Sequence, residues 1–249
     1  MPITAWRCRG CANREVPLDH FATTPCGAST VHPDFVKAML RDRNNRQPGG
    51  VVRVTHGLGC IRRAALEQSV EFSADPLAFM PVMSGVAWDT MLSAEAGDAG
   101  QVEVGGEVDG IRVVGHIDRI SADAIEDHKR VGYLPKEKQP DEEYVAQVSV
   151  YGHFAGRTKG RLWYATHFDL VPMEFDLWPL ERVLEFKAYG GEMTVRENYR
   201  LADDFFSGRK TWEELPLSGQ HMTFKSGKTH CDYCAVREDC TVEAMGAPF

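Results

Sequence analysis

The stretch GHIDRISADAIEDHKR, residues 115–130, reads as two β-strands folded about a short polar turn at Ser121–Asp123. β-Branched residues flank the turn on both sides, and Ser, Ala and Asp fill it, which is strand-and-turn composition. Asp118 falls late in the first strand; Asp127, His128 and Lys129 fall in the second. Side chains two apart on a strand share a face, so Asp127 and Lys129 point one way while Glu126 and His128 point the other. Pairing of the two strands brings Asp118 towards Asp127. Neighbouring carboxylates repel unless a cation lies between them, and oxygen donors suit Mg²⁺ or Mn²⁺. An adjacent ammonium can orient and polarise a water, while a metal offsets charge developing on a phosphate. Taken alone, the stretch is equally compatible with a surface hairpin whose charges are solvated, because Asp-x-Lys is a common tripeptide.

Outward from this stretch the periodicity predicts alternating element types. Upstream, residues 101–108 and 111–120 form a hairpin with Asp109-Gly110 as its turn. Helical spacing of apolar residues covers 35–47, 58–70 and 83–96. Downstream, 141–156 is a helix, 161–170 and 173–178 a second hairpin turning at Val171-Pro172, and 179–188 and 192–207 are helical. Helices, a strand meander, then a helix and further strands indicate an α/β fold with a mixed sheet.

The helix over 141–156 carries Gln147 and Tyr151, four apart and therefore on one face. With the strands it completes the string Gly115-His116-Ile117-Asp118, Asp127-His128-Lys129 and Gln147-Val148-Ser149-Val150-Tyr151. This string resembles the signature of the RecB-type branch of the PD-(D/E)xK nucleases: Gly-x-x-Asp, Asp/Glu-x-Lys, then Gln-x-x-x-Tyr. The resemblance implies a restriction-endonuclease-like mixed sheet flanked by helices and a metal-dependent deoxyribonuclease. It implies Mg²⁺ or Mn²⁺ ligation by Asp118 and Asp127, assisted by the backbone carbonyl of His128. Lys129 would be catalytic, with Gln147 and Tyr151 contacting DNA or the active site. The family also carries a histidine ligand four residues after a glycine on a preceding helix. Here Gly85 is followed at that spacing by Asp89, either a ligand suited to a hard cation or an exposed helix carboxylate.

Seven cysteines fall into a trio Cys8, Cys11 and Cys26, a lone Cys60, and a trio Cys231, Cys234 and Cys240. Clusters of this kind in a reducing compartment point to metal rather than disulfides. The C-terminal trio lacks a fourth ligand; His230 would complete a Cys₃His zinc site, and Cys60 read alone is a small buried apolar residue. A subset of RecB-type nucleases carries one upstream cysteine and a Cys-x₂-Cys-x₅-Cys tail that together hold a [4Fe–4S] cluster. That subset includes the fourth CRISPR-associated family and the AddB-type helicase–nucleases. Cys60, Cys231, Cys234 and Cys240 match its order and spacing, so the resemblance implies an iron–sulfur tail that ties the end of the chain to a helix before the nuclease motifs. The N-terminal trio has zinc-knuckle spacing, with His32 as the fourth ligand and His20 as its competitor. The expected organisation is a Cys-rich zinc module over 1–34 and a nuclease domain over 35–249.

The chain has 249 residues, a net charge of −8 and 43% hydrophobic residues, ordinary for a globular protein. Its acidity disfavours a general nucleic-acid binder but not a nuclease with a local basic groove. Arg41, Arg43 and Arg46 form one basic cluster, and Arg209, Lys210, Lys225 and Lys228 another; solvated surface charge accounts for either equally well. No apolar run is long enough for a membrane span and no signal peptide opens the chain, so a cytoplasmic protein is expected. From the resemblance, the substrate would be single-stranded or duplex DNA ends, attacked exonucleolytically, with a protein partner in a recombination or CRISPR adaptation complex. The rival readings are a non-catalytic nucleic-acid-binding module with a structural or redox-sensing cluster, and a zinc-stapled interaction protein.

Overall fold

The computed structural model describes residues 3–8, 11, 14–18, 20, 50–69, 72–74, 85, 87, 100–135, 139–166, 169–223, 227–229, 231, 234, 236 and 240. The helix expected over 35–47 and most of that over 83–96 lie outside these residues.

Strands β5 (Gly100–Val108) and β6 (Ile111–Ile120) form the long hairpin, closed by Asp109 and Gly110, both at positive φ (51° and 80°). Two such residues make the turn whose twist matches paired strands. The opposite edge of β6 is shared. Strand β3 (Val52–Arg53) pairs with it in parallel at Val113 and Val114, while β7 (Ile125–Arg130) pairs antiparallel only at Arg119 and Ile120. Among the described residues, no strand pairs with residues 115–118 on that edge. The sheet continues through β8 (Lys159–Ala165), parallel to β7, to β9 (Leu170–Asp176), antiparallel to β8. It is a mixed sheet flanked by helices.

Helix α1 (Val54–Leu58) follows β3 directly, and α2 (Ile61–Ser69) follows after Gly59 and Cys60. The sequence pattern predicts one helix over 58–70, running on from Leu58 through Gly59 and Cys60. The structure breaks it because Gly59 is extended, so Cys60 stands at the junction. Helix α3 (Glu142–Ala155) has Glu142 and Glu143 in its first turn and His153 in its last, each favourable to the helix dipole. Gly156, at φ 64°, closes it in the left-handed conformation. Helix α3 packs across β5, β7 and β8, burying Val145, Ala146, Val148 and Tyr151.

Helix α4 (Leu180–Leu184) leads to α5 (Val195–Phe206), which starts at Val195 rather than 192 because Thr194 and Glu197 form a reciprocal capping box. Helix α5 then seals α1. Asn198 Nδ2 donates to the Gly57 carbonyl at 2.9 Å and Tyr199 Oη to the Val54 carbonyl at 3.2 Å. A short helix leaves most of its carbonyls unpaired, and these bonds satisfy two of them.

The second hairpin turns at 166–169, where Thr166 N donates to Asp169 O, and not at Val171-Pro172. Val171 and Pro172 lie inside β9, opposite Tyr164 and Trp163. Among the described residues β9 is the last strand of the sheet, and a proline is tolerated on an edge strand whose N–H side faces no neighbour.

Gly115, paired with Val104 of β5 but with no strand on its other edge among the described residues, sits under α3. A Cβ there would lie 2.3 Å from Tyr151 Cε1 and 3.0 Å from Val54 Cγ2. Gly115→Ala should therefore lower stability by about 1–3 kcal/mol through overpacking, measured by urea or thermal unfolding. An unchanged midpoint would show that α3 does not rest on this glycine.

Candidate active site

The gap in β6 pairing is where the acidic and basic groups collect. Asp118 occupies its end. Its Oδ2 accepts the backbone N–H of His128 at 2.7 Å, so a side chain takes a donor that a strand neighbour would otherwise bond. His128 Nδ1 lies 3.7 Å from the same oxygen, and Gln101 Nε2 donates to Oδ1 at 3.3 Å.

Asp127, only 3% exposed, projects towards α3 with Lys129. Lys129 Nζ stands 2.7 Å from Asp127 Oδ2, and apart from this ammonium that buried oxygen has no partner among the described residues. Burial by itself would lower the lysine's pKa. The charge and contact of Asp127, with Asp118 behind it, outweigh burial and hold the ammonium well above the ordinary lysine range. An ammonium held charged in this way can donate hydrogen bonds and has no lone pair to accept one.

Helix α3 fixes the ammonium from above. Lys129 Nζ donates to Gln147 Oε1 at 3.1 Å, and Gln147 Nε2 donates to Tyr151 Oη at 2.9 Å. An ammonium can only donate, so the glutamine must turn its oxygen to Lys129 and its amide nitrogen to the tyrosine. Burial, then the nearby Asp127 charge, pushes the Tyr151 hydroxyl up to about 12, so it remains protonated. The Tyr144 ring, one turn before Gln147, lies 4.8 Å from Lys129 Nζ in a cation–π arrangement.

The other face of β7 is structural. Glu126 Oε1 accepts from Arg161 Nη1 at 2.7 Å, and Oε2 accepts from Trp163 Nε1 at 3.0 Å. This carboxylate is fully engaged by β8, whereas Asp127 faces α3. A small cleft beside Lys129 is lined by Gly85, His128, Arg130, Trp163, Ala165 and Leu170. Asp89, four residues beyond Gly85, lies outside the described residues.

Two positions around the site were not singled out from the sequence. Tyr144 had a signal, being three residues before Gln147 on the same helical face. Gln101 had one too: the Asp109-Gly110 turn sets a register in which Gly100 faces Arg119 and Val102 faces Ile117, leaving Gln101 opposite Asp118.

Cys60 and Cys231 come together at the other end of α1. A Cβ on Gly219 would lie 3.2 Å from Cys231 Sγ and 3.3 Å from Cys60 Sγ, so both sulfurs crowd the space that glycine leaves open. Cys234 lies within electrostatic reach of Cys60 and Arg63, and burial pushes its thiol up to about 12. Cys240 packs against the same core. No set of three or more His, Cys, Asp or Glu side chains among the described residues closes on a single metal ion. Arg62 anchors this region, donating to the carbonyls of Glu213 and Leu215 at 2.9 and 2.8 Å.

In the N-terminal trio, Cys8 ends strand β1 (Ile3–Cys8) and Cys11 lies in the following turn. Cys26, His32 and His230 lie outside the described residues, as do Arg41, Arg43, Arg46 and Lys225. Arg209 is tied to Asp203 and Asp204, and Lys210 to Asp204, so these two make no open basic patch.

No helix among the described residues is long and apolar enough to cross a membrane. No functionally curated protein matches the sequence. Among solved structures, the chain is similar to SSO0001 with a TM-score of 0.50 and 16% identity, covering 83% of this chain and 94% of that one. A Eubacterium rectale protein provisionally described as an exonuclease matches with a TM-score of 0.35 and 15% identity, over 78% of this chain and 80% of that one. At these identities the first likeness speaks to fold alone and the second carries no argument. The family match does carry one: residues 25–241 fit the PD-(D/E)XK nuclease superfamily. A match spanning most of the chain, over a mixed sheet whose Asp118, Asp127 and Lys129 stand together beneath α3, places this protein in the PD-(D/E)XK nuclease superfamily, a group of metal-dependent nucleases.

Proposed function

We propose that this nuclease is an exonuclease acting on single-stranded DNA ends, with Asp118, Asp127 and Lys129 as its reacting-centre residues and a [4Fe–4S] cluster as a structural staple. The observation that carries the catalytic reading is the buried Asp127–Lys129 pair beside Asp118. A buried ion pair is a poor way to gain stability, and a hydrophobic pair would serve a purely structural role at least as well. Asp118, Asp127 and the His128 carbonyl form an all-oxygen donor set suited to Mg²⁺ or Mn²⁺, and Asp127 Oδ2 is buried with the ammonium as its sole partner among the described residues. Asp89 is the further carboxylate we assign to that set. The bound ion would supply Lewis-acid stabilisation of charge on the scissile phosphate.

The remaining work falls to the chain itself. Lys129, kept protonated, donates to the attacking water and turns its lone pair to phosphorus. Gln147 fixes the ammonium's position, and Tyr151 fixes Gln147. Tyr144 lays its ring against the ammonium from the helix side. The preference for single-stranded ends rests on the resemblance to RecB-type enzymes. An acidic chain that recruits DNA only at a local site is compatible with it.

The cluster reading rests on Cys60 and Cys231 meeting over Gly219, with Cys234 within electrostatic reach of Cys60; Cys240 joins the set by its spacing in the sequence. Four thiolates on a cubane stand further apart than the ligands of one ion, so they need not converge on a single point. Arg63, close to Cys60 and Cys234, offers positive charge to an anionic cluster.

Two tests follow. Protein purified without oxygen should shorten end-labelled linear single-stranded DNA with Mg²⁺ or Mn²⁺, and not with chelator. Circular single strands should persist; their cleavage would identify an endonuclease. Asp118→Ala, Asp127→Ala and Lys129→Ala should each reduce the rate by about 10²–10³-fold. Glu126→Gln should lower stability and keep activity, and a dead, folded Glu126→Gln would put the reacting face on the other side of β7.

For the cluster, Cys60→Ala should cost as much iron and visible absorbance as Cys234→Ala. Full iron content in Cys60→Ala, measured by mass spectrometry, would remove Cys60 from the ligand set.

A further inference from the structure

The N-terminal hairpin carries chemistry that nuclease activity does not use. Strands β1 and β2 (Arg14–Val16) are antiparallel, with Cys8 facing Arg14 across the pair, so Cys8 and Cys11 bracket the start of one tight connection. After β2 the chain turns back at once, since His20 N donates to the Pro17 carbonyl at 3.0 Å. That return brings the imidazole to the connection. His20 Nε2 lies 3.7 Å from Cys11 Sγ, and the histidine is only 8% exposed.

The distance is informative. With Zn–S near 2.3 Å and Zn–N near 2.0–2.1 Å, a sulfur and a nitrogen on two corners of a tetrahedral zinc site stand about 3.6 Å apart. Cys11 and His20 are therefore already at ligand-to-ligand spacing. Cys-x₂-Cys across a hairpin connection is also the spacing by which two thiolates reach one ion.

The geometry points to a structural zinc site built on the Cys11–His20 pair, with His20 rather than His32 as its imidazole; sequence spacing alone makes Cys8 and Cys26 the two thiolates that complete it. A closed Cys₃His shell has no open position for substrate, so its role is to fix the fold. What it fixes is the seat of the hairpin. Strand β1 pairs in parallel with β4 (Phe72–Ala74), the strand that follows α2, and Trp6 on β1 is fully buried in the main core. Zinc would hold the turn of a hairpin whose other end is already locked into the nuclease domain.

The test is zinc content by mass spectrometry on the full chain, for wild type and for Cys11→Ala, His20→Ala, His20→Cys and His32→Ala. Wild type and His32→Ala should hold the same zinc. Cys11→Ala and His20→Ala should lose one equivalent, whether or not cleavage survives. His20→Cys should keep it, because a thiolate can replace the imidazole; this variant separates a lost ligand from a failed fold. Wild type without that equivalent, full zinc in His20→Ala or Cys11→Ala, any zinc loss in His32→Ala, or a zinc-free His20→Cys overturns the assignment. Because the readout is zinc alone, an inactive nuclease would leave this result standing, and a failed zinc site would leave the nuclease reading untouched.

Discussion

The structure depends on how one edge of β6 is shared. Strand β3 takes the first part of that edge and β7 the last, and neither covers the residues between. Unpaired backbone inside a sheet is costly unless something else bonds it. Asp118 supplies that bond at one point by accepting the His128 N–H. The same contact sets where β7 diverges, which sends Asp127 and Lys129 under α3 instead of along β6. A carboxylate that substitutes for a strand neighbour thus opens the space in which a second carboxylate and an ammonium can meet.

The helix above that space is fixed by volume as much as by hydrogen bonds. Gly115 has no Cβ, so the Tyr151 ring can lie against β6, and Tyr151 in turn holds Gln147 over Lys129. The glycine, aspartate, lysine, glutamine and tyrosine of the motif string are in this sense one mechanical unit. Strand and helix approach closely because of the glycine, and a polar chain crosses the gap from Asp127 through Lys129 and Gln147 to Tyr151. Helix α5 plays the matching part for α1, so the residues leading to Cys60 are anchored by Asn198 and Tyr199.

Much of this was legible from residues alone. Asp109-Gly110 announced its hairpin because few other pairs accept two positive φ values, and the register that follows places Gln101 opposite Asp118. The alternation in β7 separated Asp127 from Glu126 without reference to any partner. Position in the sheet was not legible. Pro172 resembles a turn residue until β9 is known to be an edge strand. The engagement of Glu126 by Arg161 and Trp163 depends on a parallel pairing that no local pattern encodes. The approach of His20 to Cys11 depends on a turn after β2 that spacing cannot distinguish from the competing His32.

The central claim is that Asp118 and Asp127 form a hard-cation site poised by Lys129. Calorimetric titration of Mn²⁺ into the intact protein tests it without requiring any DNA. Mn²⁺ prefers oxygen to thiolate, so the cysteine groups should contribute little heat. Saturable binding in the wild type and in Glu126→Gln, lost in Asp127→Asn, is the predicted result. An isotherm for Asp127→Asn that superimposes on the wild type would contradict it.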